Sequence, residues 1–162
     1  MPRTYEPIAS TTLGSDTTDV EFTSIPGTFT DLVLITSIMG SGASAIDVDF
    51  RFNGDTATNY SWTNLYGNGS SAISARVSSV NYIRLGYVQG NAGAAWSVSR
   101  ADIMAYANTN VFKTALVSHA APQNFVTRNV GLWRSTSAIT SLKVVGAFKS
   151  GSTFSLYGVK AA

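Results

Sequence analysis

Tyr60, Trp62, Asn64 and Tyr66 recur at every second position in the middle of the chain, so a strand through them would set all four on one face. Three aromatic rings in such a row can form a flat platform on which sugar rings stack, with Asn59, Asn64 and Asn68 offering hydrogen bonds at its rim. The same rings could instead fill the space between two sheets or cover a subunit interface, because aromatic side chains bury large areas and are enriched in both places. The burial of Trp62 separates these readings. An indole enclosed by its own domain leaves no platform.

Other chemistries have less to work with. His119 is the single histidine, and at the end of a strand it reads as a surface residue or a satisfied core residue before it reads as a base. No G-x-S-x-G elbow is present to expose a nucleophilic serine. The nine acidic residues cluster only at Asp47, Asp49 and Asp55. These offer the hard oxygens that calcium takes, but Arg51 stands where a D-x-D-x-D loop needs its third ligand. Asp49 and Arg51 share a strand face, so an ion pair between them is the expectation. Gly40, Gly42 and Ala45 imitate a dinucleotide fingerprint, yet the residues that follow alternate like a strand, whereas the fingerprint needs a helix. A plain Gly-rich turn is expected there. Absence of cysteine excludes disulfides and thiolate chemistry. The expectation is a protein that is not an enzyme, with no catalytic residue, metal or cofactor, and with Tyr60, Trp62, Asn64 and Tyr66 as the candidate ligand contacts.

The elements that must position these residues read as strands. Val48, Phe50 and Phe52 alternate with Asp47, Asp49 and Arg51, and Asn53-Gly54-Asp55 then carries hairpin-turn chemistry before the Tyr60 run. A hairpin is expected here. Tyr5 to Leu13 reads as a strand that Pro7 confines to a sheet edge or a strand start. Val20 to Ser24 follows, then an Ile25-Pro26-Gly27 turn. Asp31 to Met39 is apolar on both faces and reads as a central strand covered on both sides. Further strands are expected over Ala72–Val77, Asn81–Val88, Trp96–Tyr106, Phe112–His119, Asn129–Trp133, Leu142–Phe148 and Thr153–Val159. Gln89 to Ala95 reads as a loop, and Lys149-Ser150-Gly151-Ser152 as a tight hairpin turn between the last two strands. Trp133 is expected inside, with Arg134 paired to an acid or a neighbouring subunit. About ten to twelve strands without helical periodicity imply an all-β fold, an antiparallel two-sheet β-sandwich, jelly-roll-like.

Composition agrees with a single domain over residues 1–162, residues 1–4 forming a short N-terminal arm. A chain of 162 residues buries roughly 70% of its unfolded surface. Charged residues are only 12% of it, about half the usual share, so its outer faces must be built from Ser, Thr, Asn and Gly. Such faces suit a large assembly, where long charged side chains would have to be desolvated. The net charge is +2 with eleven scattered Lys and Arg, and no run of them could neutralise neighbouring phosphates, which disfavours nucleic acid. No apolar run approaches the ~18 residues of a membrane span, and MPRTYEPIAS lacks the apolar centre of a signal peptide. The expectation is a protein made in the cytoplasm with no membrane partner.

Three segments carry a wider resemblance: TYEPIASTTLGSDTTDVEFTSIPGTFTDLVL, then FRFNGDTATNYSWTNLYGNG, then VGLWRSTSAI with GSTFSLYGVKAA. Together they resemble structural proteins of tailed bacteriophages of marine and freshwater bacteria, β-sandwich modules of appendages, fibres or capsid decoration. This resemblance spans nearly the whole chain and implies a non-enzymatic virion component. Its expected partners are copies of itself, as a dimer or a trimer, and other proteins of the capsid or tail. Docking would use uncharged Ser/Thr/Asn/Gly-rich faces. The alternative reading is a carbohydrate-binding receptor module of a phage appendage, with a host-surface glycan as its ligand.

Overall fold

Alternation of apolar and polar residues becomes strand throughout the computed structural model, which describes residues 4–91, 95–122 and 125–160. In chain order the strands are β1 (Tyr5–Thr12), β2 (Thr17–Phe22), β3 (Asp31–Ile38), β4 (Ile46–Phe52), β5 (Tyr60–Gly67) and β6 (Ala72–Val80). They continue as β7 (Ile83–Val88), β8 (Ser97–Met104), β9 (Lys113–Ala121), β10 (Phe125–Trp133), β11 (Leu142–Phe148) and β12 (Thr153–Val159). Most of the expected arm, and positions 92–94 of the expected loop, lie outside the described residues. Among the described residues no helix is long and apolar enough to cross a membrane.

The strands form two antiparallel sheets packed as a jelly-roll-like sandwich. A large sheet of eight strands has the order β1-β12-β3-β8-β9-β10-β5-β6, and a small sheet of four has the order β2-β11-β4-β7. Inward positions are those the alternation marks. Val48, Phe50 and Phe52 of β4 are fully buried, and each such side chain contributes roughly 1.5–3 kcal/mol. Opposite them stand Leu32, Leu34, Ala115 and Val117 of the large sheet, buried in the same core. Pro7 sits on β1 at the edge of the large sheet, beside a bulge between Pro7 and Ala9, where a missing N–H costs no ladder bond.

Three expectations change. Strand β3 is central, but it is not covered on both sides. Its outer face buries Val33 yet leaves Ile35 44% exposed, because the small sheet packs against the inner face alone. Strands β4 and β5 do not form a hairpin: β4 pairs with β11 and β7, and β5 with β10 and β6. The turn at 149–152 likewise passes the chain from β11 in the small sheet to β12 in the large one. Both segments are tight, with Asn53, Gly54 and Gly151 at positive φ. Positive φ lets the backbone turn sharply, but it does not decide which strand will lie beside the next.

Side chains hold the first of these corners. The Asn53 Oδ1 accepts from the amides of Thr140 (2.8 Å) and Ser141 (3.1 Å), and its Nδ2 donates to the Ala138 carbonyl (2.8 Å). Asp55 accepts from the Ala57 amide, the Asn59 Nδ2 (both 2.8 Å) and the Trp133 indole (2.7 Å). Burial opposes ionisation of Asp55, but these three donors outweigh it and hold the carboxyl below its ordinary value. Phe52 meets Trp133 with ring centroids 5.5 Å apart, so the corner is sealed by rings from both sheets.

Strand β7 is seated on the large sheet by two glycines. A Cβ on Gly131 would lie 2.3 Å from the Ile83 Cγ2, and one on Gly86 would lie 2.3 Å from the His119 Nδ1. Gly131→Ala should therefore cost about 1–3 kcal/mol through overpacking. Gly27→Ala, whose Cβ would meet nothing within 4 Å, should cost less than about 0.5 kcal/mol. Urea unfolding of the two variants beside the parent measures the difference.

Candidate functional site

The small sheet is narrower than the large one, and β7 is its edge strand. It lies over β8, β9, β10 and β5, while β6 extends beyond it at the edge of the large sheet. Side chains of the large sheet's inner face that pass β7 on this side therefore border a groove of about 440 Å³, within the range of small-molecule sites. Trp62, Asn64 and Tyr66 of β5 line it with Phe125 and Thr127 of β10, and Arg84, Gly86 and Tyr87 of β7 face them. Asp47 stands at the rim.

Of the four candidates read from spacing, the structure brings three to this groove. Tyr60 is not among them. It is fully buried and stacks on Trp133 at 6.0 Å with an interplanar angle of 18°. Its hydroxyl accepts from the Phe52 amide at 3.2 Å, and burial pushes its pKa up. Tyr60 is a core residue, a correction to its place among the ligand contacts. Trp62 is 8% exposed, covered by the Arg84 guanidinium 5.7 Å above its ring and by the Tyr82 ring at 6.4 Å. A flat platform of exposed rings is therefore not what β5 presents. What remains is a cleft that Trp62, Asn64 and Tyr66 border from one side.

Residues from β4 and β7 complete the cleft, and spacing along β5 could not have found them. Arg84 is the hub. It pairs with Asp47, and its Nε lies 3.1 Å from the Asp49 Oδ1. Asp49 thus pairs with Arg84 and not with its strand neighbour Arg51, because the register sets Arg84 of β7 directly opposite Asp49 of β4. Burial pushes the Asp49 carboxyl up to about 6, with Arg84 acting against the rise. Asp55, at the far end of β4, is engaged by Trp133 and Asn59, so the three acids never converge. Among the described residues no group of three or more side chains could hold a metal ion.

His119 is 2% exposed. Its Nδ1 lies 2.9 Å from the Ser99 hydroxyl, and its Nε2 lies 3.0 Å from the Tyr87 carbonyl and 3.3 Å from the Tyr87 amide. Either neutral tautomer satisfies both nitrogens. Burial holds its pKa below the ordinary value, against the pull of the Tyr87 carbonyl. Nearby, the Asn129 Nδ2 donates to the Arg84 carbonyl at 2.6 Å. These side chains satisfy backbone groups on the unpaired edge of β7. Lys113, fully buried, donates to the carbonyls of Asn108 (2.5 Å), Val111 (2.8 Å) and Thr136 (3.1 Å) and so ties two loops together. Trp133 is inside as expected, 2% exposed, but Arg134 meets the Asn59 carbonyl and the Ser61 hydroxyl, not an acid.

A second surface lies on the opposite side. The outer face of the large sheet exposes Ile35 (44%), Val98 (51%), Leu116 (44%), Val126 (62%), Val130 (49%) and Leu65 (64%). Register makes them neighbours: Leu116 is paired with Val130, and Val98 reaches Val126 through Ala120. Arg100 on this face is bound to Asp102 at 2.6 Å, and Arg128 to the Ser118 hydroxyl.

No protein-family model and no curated protein matches this chain. Among solved structures it is similar to the galectin LEC-6 of Caenorhabditis elegans, at 12% identity over 94% of this chain and 96% of that one, with a TM-score of 0.36. It is also similar to an alginate lyase from Aplysia kurodai, at 9% identity over 85% of this chain and 72% of that one, with a TM-score of 0.34. A xylan beta-1,4-xylosidase from Bacillus halodurans matches at 9% identity and a TM-score of 0.36, over 81% of this chain, which spans 28% of the xylosidase.

The two perturbed groups beside β7 have opposite pH signatures. Between about pH 4 and 6 the folded chain keeps a proton on Asp49 that the unfolded chain has released, so this group lowers stability as pH rises through that window. His119 acts the other way: below its unfolded value near 6.5 the unfolded chain takes up a proton that the folded chain refuses, and stability falls with acid. Asp49→Asn should therefore gain on the parent by on the order of 2 kcal/mol between about pH 4 and pH 7. His119→Asn should flatten the loss that the parent shows on acidification below about pH 6.5. Urea midpoints across this range give both slopes.

Proposed function

We propose that this chain is a non-enzymatic structural module of a phage particle, a capsid-decoration or tail- and fibre-associated β-sandwich that docks on copies of itself and on other virion proteins. The aliphatic outer face of the large sheet is the observation that carries this reading. Six large apolar side chains, 44–64% exposed on one sheet face, form the kind of patch that marks an association surface. Arg100 on it is paired with Asp102, so docking there would not strip a lone ion of its water, while Arg128 is held by the neutral Ser118 hydroxyl. Faces rich in small polar residues were expected to do this work. The aliphatic face is better suited, because each apolar Å² removed from water contributes about 25 cal/mol. The sequence resemblance to phage β-sandwich proteins supplies the biological setting.

Size-exclusion chromatography with light scattering at micromolar concentration tests the association. The parent should run as a dimer or trimer of the 17.1 kDa chain, and the doubly charged variant Leu116→Asp/Val130→Asp as a folded monomer. A parent that stays monomeric overturns the self-association. Sedimentation with purified particles of a phage that encodes the chain tests the virion setting, and its absence from such particles overturns it.

A further inference from the structure

Among the described residues, the groove between the sheets holds two buried polar atoms with no hydrogen-bond partner. Trp62, more than nine-tenths buried, has an indole Nε1 without a hydrogen-bond partner, and so does the Asn64 Oδ1 two residues along the same strand face. Leaving a buried donor or acceptor unsatisfied is costly, so a donor and an acceptor on one strand face define the chemistry of the group that would satisfy them. A hydroxyl meets that requirement, since it accepts from N–H and donates to C=O at once. A ligand with several hydroxyls has one to offer the Asp47 carboxylate at the rim as well.

The remaining walls narrow the ligand further. Tyr66, Phe125 and Tyr87 form a continuous run of rings, with centroids 5.8 Å apart for the first pair and 5.0 Å for the second. Such rings pack against the C–H face of a saturated ring as readily as against apolar groups. An anion is poorly served, because the one cation present, Arg84, already faces both Asp47 and Asp49. The groove's volume of about 440 Å³ exceeds what a single bound water needs.

We propose that this groove binds a neutral saccharide, with one pyranose ring held against Tyr66, Tyr87 and Phe125 and its hydroxyls engaging Trp62 Nε1, Asn64 Oδ1 and the Asp47 carboxylate. The site is a cleft across both sheets and lacks Tyr60, so it differs from the platform that the spacing along β5 suggests. It is independent of the outer face, which lies on the other side of the large sheet.

The test uses the full chain labelled with ¹⁵N, whose three tryptophans give three indole N–H resonances. Neutral monosaccharides and their short oligomers are titrated, with tetramethylammonium chloride and inorganic phosphate as separate probes. A saccharide should shift the Trp62 resonance and leave that of Trp133, already bonded to Asp55, in place. Trp62→Phe, which keeps a ring but removes the donor, should weaken binding about tenfold, and Tyr87→Ala should weaken it similarly. Tyr87 is 36% exposed, so that variant decides the matter if Trp62→Phe does not fold. Thr18→Ala on β2 should bind as the parent does, and so should the monomeric Leu116→Asp/Val130→Asp chain, which separates this site from the association surface. The proposal is overturned if no saccharide moves the Trp62 resonance, the groove then holding water only. Response to tetramethylammonium or phosphate in place of sugar overturns it too, as does unchanged affinity in folded Trp62→Phe or Tyr87→Ala.

Discussion

The close seating of β7 on β9 and β10 governs the geometry of this sandwich. An edge strand of a small sheet has one row of backbone groups with no strand beside it, and such a row either stays wet, recruits another chain or is satisfied by side chains. Here the third solution is used. His119 and Asn129 reach up from the large sheet to the backbone of Tyr87 and Arg84, and Gly86 and Gly131 remove the Cβ atoms that would hold the layers apart. Arg84 is thereby fixed at the edge, where it can meet Asp47 and Asp49 on one side and the Trp62 ring on the other. The groove is a result of this seating: a narrow sheet held tightly against a wide one leaves part of the wide sheet's inner face uncovered.

Much of this was legible in the chain. Each expected segment overlaps a strand, most marked by period-two patterning and β3 by its continuous apolar run, and Pro7 placed β1 at an edge where it is found. The inward set Val48, Phe50, Phe52 and Trp133 follows from alternation and size, and all four are buried. Alternation is a local property, written wherever one face of a strand is dry, so it survives whatever the neighbours turn out to be.

Pairing is not local, and there the reading from sequence diverged. Asn53-Gly54-Asp55 has the residues of a hairpin turn, yet its side chains serve remote partners at Ala138, Thr140 and Ser141. A corner between sheets and a hairpin within one both require positive φ, and the residues that decide between them lie some eighty positions away. The same distance explains the site. Trp62, Asn64 and Tyr66 declare themselves by spacing, but Arg84, Tyr87 and Phe125 come from other strands and carry no shared period. Tyr60 was grouped with the candidates because it has the right parity. It differs only in lying beneath the small sheet, near Phe52 and Trp133, and parity along one strand cannot reveal where the opposing sheet stops.

The two surfaces are related by the same alternation. On β10, Phe125 and Thr127 border the groove while Val126 and Val130 stand on the outer face, and on β5 Tyr66 and Leu65 divide in the same way. Side chains of adjacent residues point to opposite sides of a sheet, so a partner seated on the aliphatic face leaves the cleft open, and a ligand in the cleft leaves that face free. The low share of charged residues fits this arrangement. On the association proposed above, a sheet covered by the small sheet within and by a partner without can carry few ions on either face unless they are paired in place, as Arg100 is with Asp102. The association and the ligand site proposed above therefore use opposite faces of one sheet, and neither needs the other's side chains.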